Sequence, residues 1–548
     1  MMDTAANGHE NFFKKLRYLI VDDFDSFRLS MRQMLRNFGA EHIEVANSGG
    51  AAIQRCTYEQ FDVVLCDYNL GEGKNGQHIL EELRHKKLLK RTSLFLMVTA
   101  ETSKEMVMGA REYQPDAYLT KPINRAMLEK RLGSLVEQRR ALLPINRAID
   151  LENFPEAISL CVQALPKQTK YKTWLLKTLA DLYQQVGDFG HARKIYDEVL
   201  TQRDLSWARL GKGKVLLAEQ HFDEAISTLK SLIADHPDYI EGYDLLAQAQ
   251  AQQGKLSLAQ DTLSKAAELS PNALLRQKHF AEIAQTNQDM TTASDAWRKT
   301  VQLGAHSIHD NAEHYLGLGR SLCELSEGDS SEAGKAHADE AILVLGRMEK
   351  RFPEAPEVVI RSRLIQSRVN MGQGNTAEAE KCLQTVVTDL EEPTSLSADT
   401  AIEYAKTLFR LGRAEEAKHL LARLAKQHED NSELLQQIES LLDEPVSYRQ
   451  RMVARDLNRT GIKAFEEGAL DDAAAAFKQA LEIVPSHASL NLNLIQVLMK
   501  MYSEQPERQA ALKDCDRHLD ALAALPEHHR QHRRYLALKK KLEGLKNA

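Results

Sequence analysis

A chain of 548 residues is too long for one hydrophobic core, so several domains or a repeat array are required. Hydrophobic residues at 43% and charged residues at 27% exclude a disordered chain, and a net charge of −7 excludes a general attraction for nucleic acid. No uncharged apolar run approaches the ~20 residues that a membrane span needs.

The first residues, 1–10, are polar and lack the basic-then-apolar order of a signal peptide. Six cysteines (Cys56, Cys66, Cys161, Cys323, Cys382 and Cys515) lie far apart and form no CxxC pair. Both observations fit a cytoplasmic protein with reduced, buried thiols. Residues 1–15 read as a loose or helical lead-in.

A strand over 17–21 ends on Asp22 and Asp23. Asp25 is placed to cap the next helix, whose apolar face is Phe27, Met31, Met34, Leu35 and Phe38, and Gly39 ends it. A second strand covers 41–46 and a short helix 48–56. The third strand is the apolar run Val63, Val64, Leu65 and Cys66, delivering Asp67 to its end. Such a continuous run is the mark of a buried parallel strand, and ligands of open α/β sheets sit beyond the carboxyl ends of strands. A glycine-rich turn, 71–76, leads to a helix over 77–88. The fourth strand, 93–99, closes on Thr99. A helix over 102–113 carries Met106, Val107 and Met108, and a strand over 116–120 contains Tyr118 and runs into Lys121 and Pro122. The last helix of this set starts near Asn124 and extends toward Arg140. Five strands alternating with five helices predict a doubly wound parallel sheet.

Three carboxylates meeting at one sheet edge repel one another and call for a hard divalent cation with oxygen ligands, such as Mg2+. Lys121 adds a positive charge and Thr99 a hydroxyl, a set able to bind and stabilise a transferring phosphoryl group.

The ordered set Asp22, Asp23, Asp67, Thr99 and Lys121-Pro122 resembles the receiver domain of two-component response regulators over residues 16–138. The resemblance implies a flavodoxin-like fold, with Asp67 as phosphoacceptor and a histidine kinase or phosphotransfer protein as donor. It implies Mg2+ held by Asp22, Asp23, Asp67 and the Asn69 carbonyl. It implies Thr99 and Tyr118 as a switch pair, and Asn69 and Glu101 as positions that tune attack by water on the phosphoaspartate. The loop after Asp67 departs from the family's usual form: it lacks the common proline and is one residue longer. The expected output face is that of the helix over 102–113, the fifth strand and the helix after it.

Beyond residue 139 strand signals vanish and a repeat sets in. The alanine opening the second helix of each pair recurs at Ala157, Ala192, Ala225, Ala259 and Ala293, spaced by 35, 33, 34 and 34 residues on subtraction. Twelve residues earlier the residue is small (Ala180, Gly213, Ala247, Ala281), except for Ile145 in the first pair. Four residues later it is large (Tyr196, Leu229, Leu263, Trp297). Small residues let helices approach and large ones fill the groove between them. This code resembles the tetratricopeptide repeat, which implies an all-α solenoid over 139–445 offering a concave surface to a protein or peptide. The pattern returns at Ala405, Ala417 and Leu421, and again at Gly461, Ala473 and Phe477. Between 305 and 395, insertions at 326–331 and 390–397 blur it. Residues 443–447 read as a joint. A second block, 446–548, holds one good repeat and helices over 487–503, 507–524 and 527–546, the last a polar cap.

Other groups fit plain roles. His528, His529 and His532 have no carboxylate or cysteine set beside them in sequence, and His528 and His532 read as one solvated helix face. The basic tail (Arg530, Arg533, Arg534, Lys539, Lys540, Lys541) lacks a DNA-reading motif or stacking aromatics. Trp174, Trp207 and Trp297 fit helix packing. No second catalytic motif is present, so the chain reads as a signalling protein rather than an enzyme. Two rivals remain: a scaffold whose receiver only dimerises, and a nucleic-acid regulator using the basic tail.

Overall fold

The computed structural model describes residues 13–100, 114–389, 396–446, 448–505, 509–523, 525 and 529–546. The lead-in 1–12, Glu101, the helix expected over 102–113, most of the insertion at 390–397, Ser447 and His528 lie outside them.

The five strands are β1 (Arg17–Val21), β2 (His42–Ala46), β3 (Val63–Asp67), β4 (Leu94–Thr99) and β5 (Ala117–Thr120). They form one parallel sheet in the order β2-β1-β3-β4-β5. Side chains alternate across each strand, so Tyr18, Ile20 and Leu65 face one layer, while Leu19, Val64 and Phe95 face the other. The first layer is closed by α1 (Asp25–Arg36) through Met31 and Leu35 and by α4 (Arg125–Ala141) through Leu128 and Leu132. The second is closed by α2 (Gly49–Tyr58) through Ala52 and Ile53 and by α3 (Gly76–His85) through Ile79, Leu80 and Leu83. Burial on both faces is why the strands read as unbroken apolar runs.

Two local expectations are corrected. Phe24, not Asp25, is the N-cap of α1, and its side chain makes no capping bond. Asp25 lies inside the first turn, where a carboxylate suits the helix dipole, and pairs with Arg28. The helix expected over 77–88 stops at His85, because the chain turns back at Lys87 with φ of 54°.

Leu142 alone separates α4 from α5 (Leu143–Asp150), whose first turn accepts Pro144. Helix pairs follow: α5 with α6 (Phe154–Ala164), α7 (Lys172–Gln185) with α8 (Phe189–Gln202), α9 (Ser206–Ala218) with α10 (Phe222–Asp235), α11 (Ile240–Gln252) with α12 (Leu256–Leu269), and α13 (Leu274–Thr286) with α14 (Met290–Gly304). First helices of neighbouring pairs, α7, α9 and α11, also touch one another, which puts them on the inside of the curve. The receiver and these five pairs make one compact unit, 1–311, and residues 312–548 make a second.

The second unit contains α15 (Ala312–Ser326), α16 (Glu332–Arg351), α17 (Pro356–Gly372), α18 (Thr376–Asp389), α19 (Ala398–Arg410), α20 (Ala414–Gln427), α21 (Ser432–Asp443), α22 (Tyr448–Glu466), α23 (Leu470–Ile483), α24 (Ala488–Glu504), α25 (Gln509–Asp520) and α26 (His532–Lys546).

The repeat code has a steric basis. A Cβ on Gly213 would lie 2.7 Å from Leu229 Cδ2, and one on Gly461 would lie 2.8 Å from Phe477 Cε1. The same lock persists in the blurred region. Gly319 faces Leu345, 2.8 Å from a would-be Cβ, with Ala341 fully buried. There the small residue precedes the alanine by 22 positions (341 − 319) rather than 12, because Ala341 sits in the middle of the 20-residue α16 instead of in its first turn.

Candidate functional site

The carboxyl ends of β1, β3, β4 and β5 deliver the site. Register pairs Val21 with Cys66, Asp67 with Val98 and Thr99 with Thr120, so Asp22, Asp67, Thr99 and Lys121 emerge at one edge. Oxygens of Asp22, Asp23 and Asp67 lie within 4.8 Å of one another. Lys121 Nζ stands 2.8 Å from Asp22 Oδ2 and 2.8 Å from Asp67 Oδ2, over the Phe27 ring at 4.1 Å. Asp22 is 0% and Asp67 6% exposed, whereas Asp23 is open to solvent. The acidic cluster therefore meets solvent through Asp23.

Three carboxylates against one ammonium leave net negative charge in a half-dry pocket. Burial pushes the Asp67 carboxyl above its ordinary range; Lys121 opposes this, nearby Asp22 adds to it, and the Asn69 amide donates a bond that lowers it. Burial works against the Lys121 ammonium, yet its hydrogen bonds to Asp22 and Asp67 prevail and raise its pKa. A divalent cation would relieve the surplus charge, with Asp22, Asp23 and Asp67 as its oxygen donors.

Local structure explains the placement. Asp22 Oδ1 accepts from the Phe24 amide at 2.9 Å, turning the chain away from β1. The Asn69 side chain accepts from Gly71 N at 3.3 Å, and Gly71 and Gly73 take φ of 73° and 99°. Sequence reasoning missed Gly76. A Cβ there would meet the Asp67 carbonyl oxygen at 2.4 Å and Met97 Sδ at 2.8 Å. The glycine at the end of the turn was the available signal.

Thr99 is half-buried, and its carbonyl accepts from Lys121 N at 2.8 Å. Tyr118 points its hydroxyl inward: the oxygen is buried without a hydrogen-bond partner among the described residues, and burial beside Tyr68 raises its pKa. Glu101 lies outside the described residues.

The face expected from His528 and His532 is not tested, because His528 lies outside the described residues. His529 precedes α26, and its Nε2 lies 3.9 Å from Glu439 and 4.0 Å from Asp443, carboxylates more than 80 positions away (529 − 443 = 86). Part of the basic tail is engaged in packing: Arg534 donates to Asn493 and Gln496, and Lys546 pairs with Asp516. All six cysteines are free thiols. No helix among the described residues is long and apolar enough to cross a membrane.

Known proteins agree with this geometry. The response regulator receiver domain profile matches residues 18–133, and a tetratricopeptide repeat profile matches 216–278 and 371–441. The chain is similar to chemotaxis protein CheY-3 of Vibrio cholerae, 31% identical over 125 residues, covering 23% of this chain and 95% of the relative. Chemotaxis protein CheY of Pseudomonas aeruginosa is 28% identical over 123 residues, covering 22% of this chain and 98% of the relative. Among solved structures, the chemotaxis response regulator CheY4 of Vibrio cholerae matches with 28% identity and a TM-score of 0.21, covering 22% of this chain and 98% of that one. The receiver profile and the 31% identity to CheY-3, covered over 95% of its length, make the chain a member of the response regulator receiver family, with tetratricopeptide repeats following its receiver domain.

Proposed function

We propose that Asp67 accepts a phosphoryl group from a histidine kinase or phosphotransfer protein, and that this controls protein contacts made by the repeats. The observation that carries it is the meeting of Asp22, Asp23, Asp67 and Lys121 at one strand edge. In the transfer an Asp67 carboxylate oxygen forms the new O–P bond as the donor's N–P bond breaks, and the released imidazole takes a proton. Asp22, Asp23, Asp67 and the Asn69 carbonyl would hold Mg2+, which supplies charge neutralisation to the phosphoryl oxygens. Lys121 leaves Asp67 for the phosphoryl oxygens, Thr99 donates its hydroxyl to them, and the inward Tyr118 follows the space Thr99 vacates. Asn69 and Glu101 set how readily water attacks the product. The domain limits in this reading are 16–138 for the receiver, 139–445 for the first repeats and 446–548 for the last block.

A small-molecule phosphodonor, acetyl phosphate with Mg2+, tests this directly. Intact mass should gain one phosphoryl group in the wild type and none in Asp67→Asn. Absence of label in both would leave the receiver as a dimerisation or scaffold module.

A further inference from the structure

Within the unit 1–311 the receiver lies against its own repeats. Lys74, in the turn that leaves Asp67, donates to the His306 carbonyl at 2.8 Å and pairs with Glu82 at 2.7 Å. Ser307 Oγ donates to Glu81 at 3.3 Å, and the His85 and His309 rings meet edge to face at 6.0 Å. At the far edge of the sheet the Arg91 and Thr92 amides donate to the Asp150 carboxylate at 2.6 and 3.2 Å, and Lys87 pairs with Glu152. Gln114 donates to Glu241 at 2.9 Å. The contacts thus run from the end of α5, past α7 and α11, to the turn after α14, along the inner helices.

We propose that this seam is a closed state: the receiver occupies the inner face of its first five helix pairs, and phosphorylation of Asp67 releases it. This rests on the phosphoacceptor reading above. Three observations argue for it. First, the turn 69–76 has one end at the acidic pocket and the other at the array. Its Asn69 carbonyl is the one the cation would take, and Gly71 and Gly73 leave it free to reshape. Any shift of that turn moves Lys74 away from the single carbonyl it reaches. Second, the seam is polar and loose. Lys87 and Glu152 are 79% and 61% exposed, and a cavity of about 550 Å3 remains between Arg84, Arg91 and Arg139 on one side and Trp174, Lys177 and Asp181 on the other. The apolar residues of α3, Ile79, Leu80 and Leu83, are spent on the receiver's own core. Release therefore uncovers little apolar surface, as suits an interdomain contact built to open. Third, among the described residues the receiver meets the array through Lys74, α3 and the turn after it, through Gln114, and through α4, where Glu137 pairs with Lys170 at 2.8 Å; of these elements α4 belongs to the face expected to carry the output. A partner reaching the same inner helices must displace the receiver.

Linkage makes the idea testable, because coupling between two sites is reciprocal. The experiment is hydrogen exchange on the full chain, with acetyl phosphate and Mg2+, alongside intact mass. Wild type carrying the phosphoryl group should lose protection at the Arg91 and Thr92 amides and along α7 and α11. The double variant Asp150→Ala/Glu152→Ala should lose it without a donor. That variant lies at the opposite edge of the sheet from Asp67, yet it should take up the phosphoryl group about tenfold faster, within the usual range of allosteric coupling. Lys87→Ala, an exposed change that leaves the helices intact, should shift uptake the same way. Full phosphorylation with unchanged exchange, or equal uptake by the variants, overturns the closed state and leaves the phosphoacceptor reading standing. No mass gain in any protein overturns both.

Discussion

Replacing Gly76 by alanine should damage the site without touching any ionisable group. A Cβ at this position would sit 2.4 Å from the Asp67 carbonyl oxygen, 3.1 Å from its carbonyl carbon and 2.8 Å from Met97 Sδ. Met97 can rotate, but the Asp67 backbone cannot: its neighbour Tyr68 donates to Val98 at 2.8 Å, and the Tyr68 carbonyl accepts from Gly76 at 2.8 Å. Overpacking against fixed backbone costs about 1–3 kcal/mol. The gain in helix propensity, about 1 kcal/mol at an interior position, is smaller still in a first turn. Gly50 supplies the control, since it lies in α2 with nothing within 4 Å of a would-be Cβ. Scanning calorimetry of the full chain should show the receiver transition lowered in Gly76→Ala and raised slightly in Gly50→Ala. Acetyl phosphate labelling should slow roughly tenfold in the former, because a 1 Å displacement of a reacting group costs rate. A Gly76→Ala protein as stable and as readily labelled as wild type would refute the claim that this close approach holds Asp67 in place.

Mg2+ should raise the melting temperature, equivalent to about 2.7 kcal/mol at a hundred times its dissociation constant, and Asp23→Asn should abolish the shift, as read by calorimetric titration. Asp67 has a raised pKa, so the folded state holds its proton above the pH at which the unfolded chain releases it. Its stabilising effect is complete below the ordinary carboxyl value of about 3.9 and is lost as pH rises through the folded value. The melting temperature of Asp67→Asn minus that of wild type should therefore grow from pH 4 to pH 7. In the second unit, buried Glu403 joins Arg368, Arg320 and Lys406. Glu403→Gln strands the buried Arg368 guanidinium and should cost about 3–5 kcal/mol, seen as early unfolding of that unit in urea.

The acidic residues, Thr99 and Lys121 were legible because each sits at the end of a run whose period alone gives a buried strand. Once five strands are parallel, their ends must share an edge. The helix pairs were legible because Gly213 with Leu229, and Gly461 with Phe477, are locked at short, recurring separations. The lock at Gly319 and Leu345 was hidden only because a longer helix stretched the interval. What period and spacing could not express were meetings between distant stretches. His529 settles beside Glu439 and Asp443, Asp22 rather than Asp25 holds the start of α1, and Lys74 reaches His306 across 232 positions. Local periodicity records which face of an element is apolar, and that follows from composition along a few turns. Which polar side chains then face one another depends on how completed elements stack, a matter of three-dimensional closure that no short window of the chain contains.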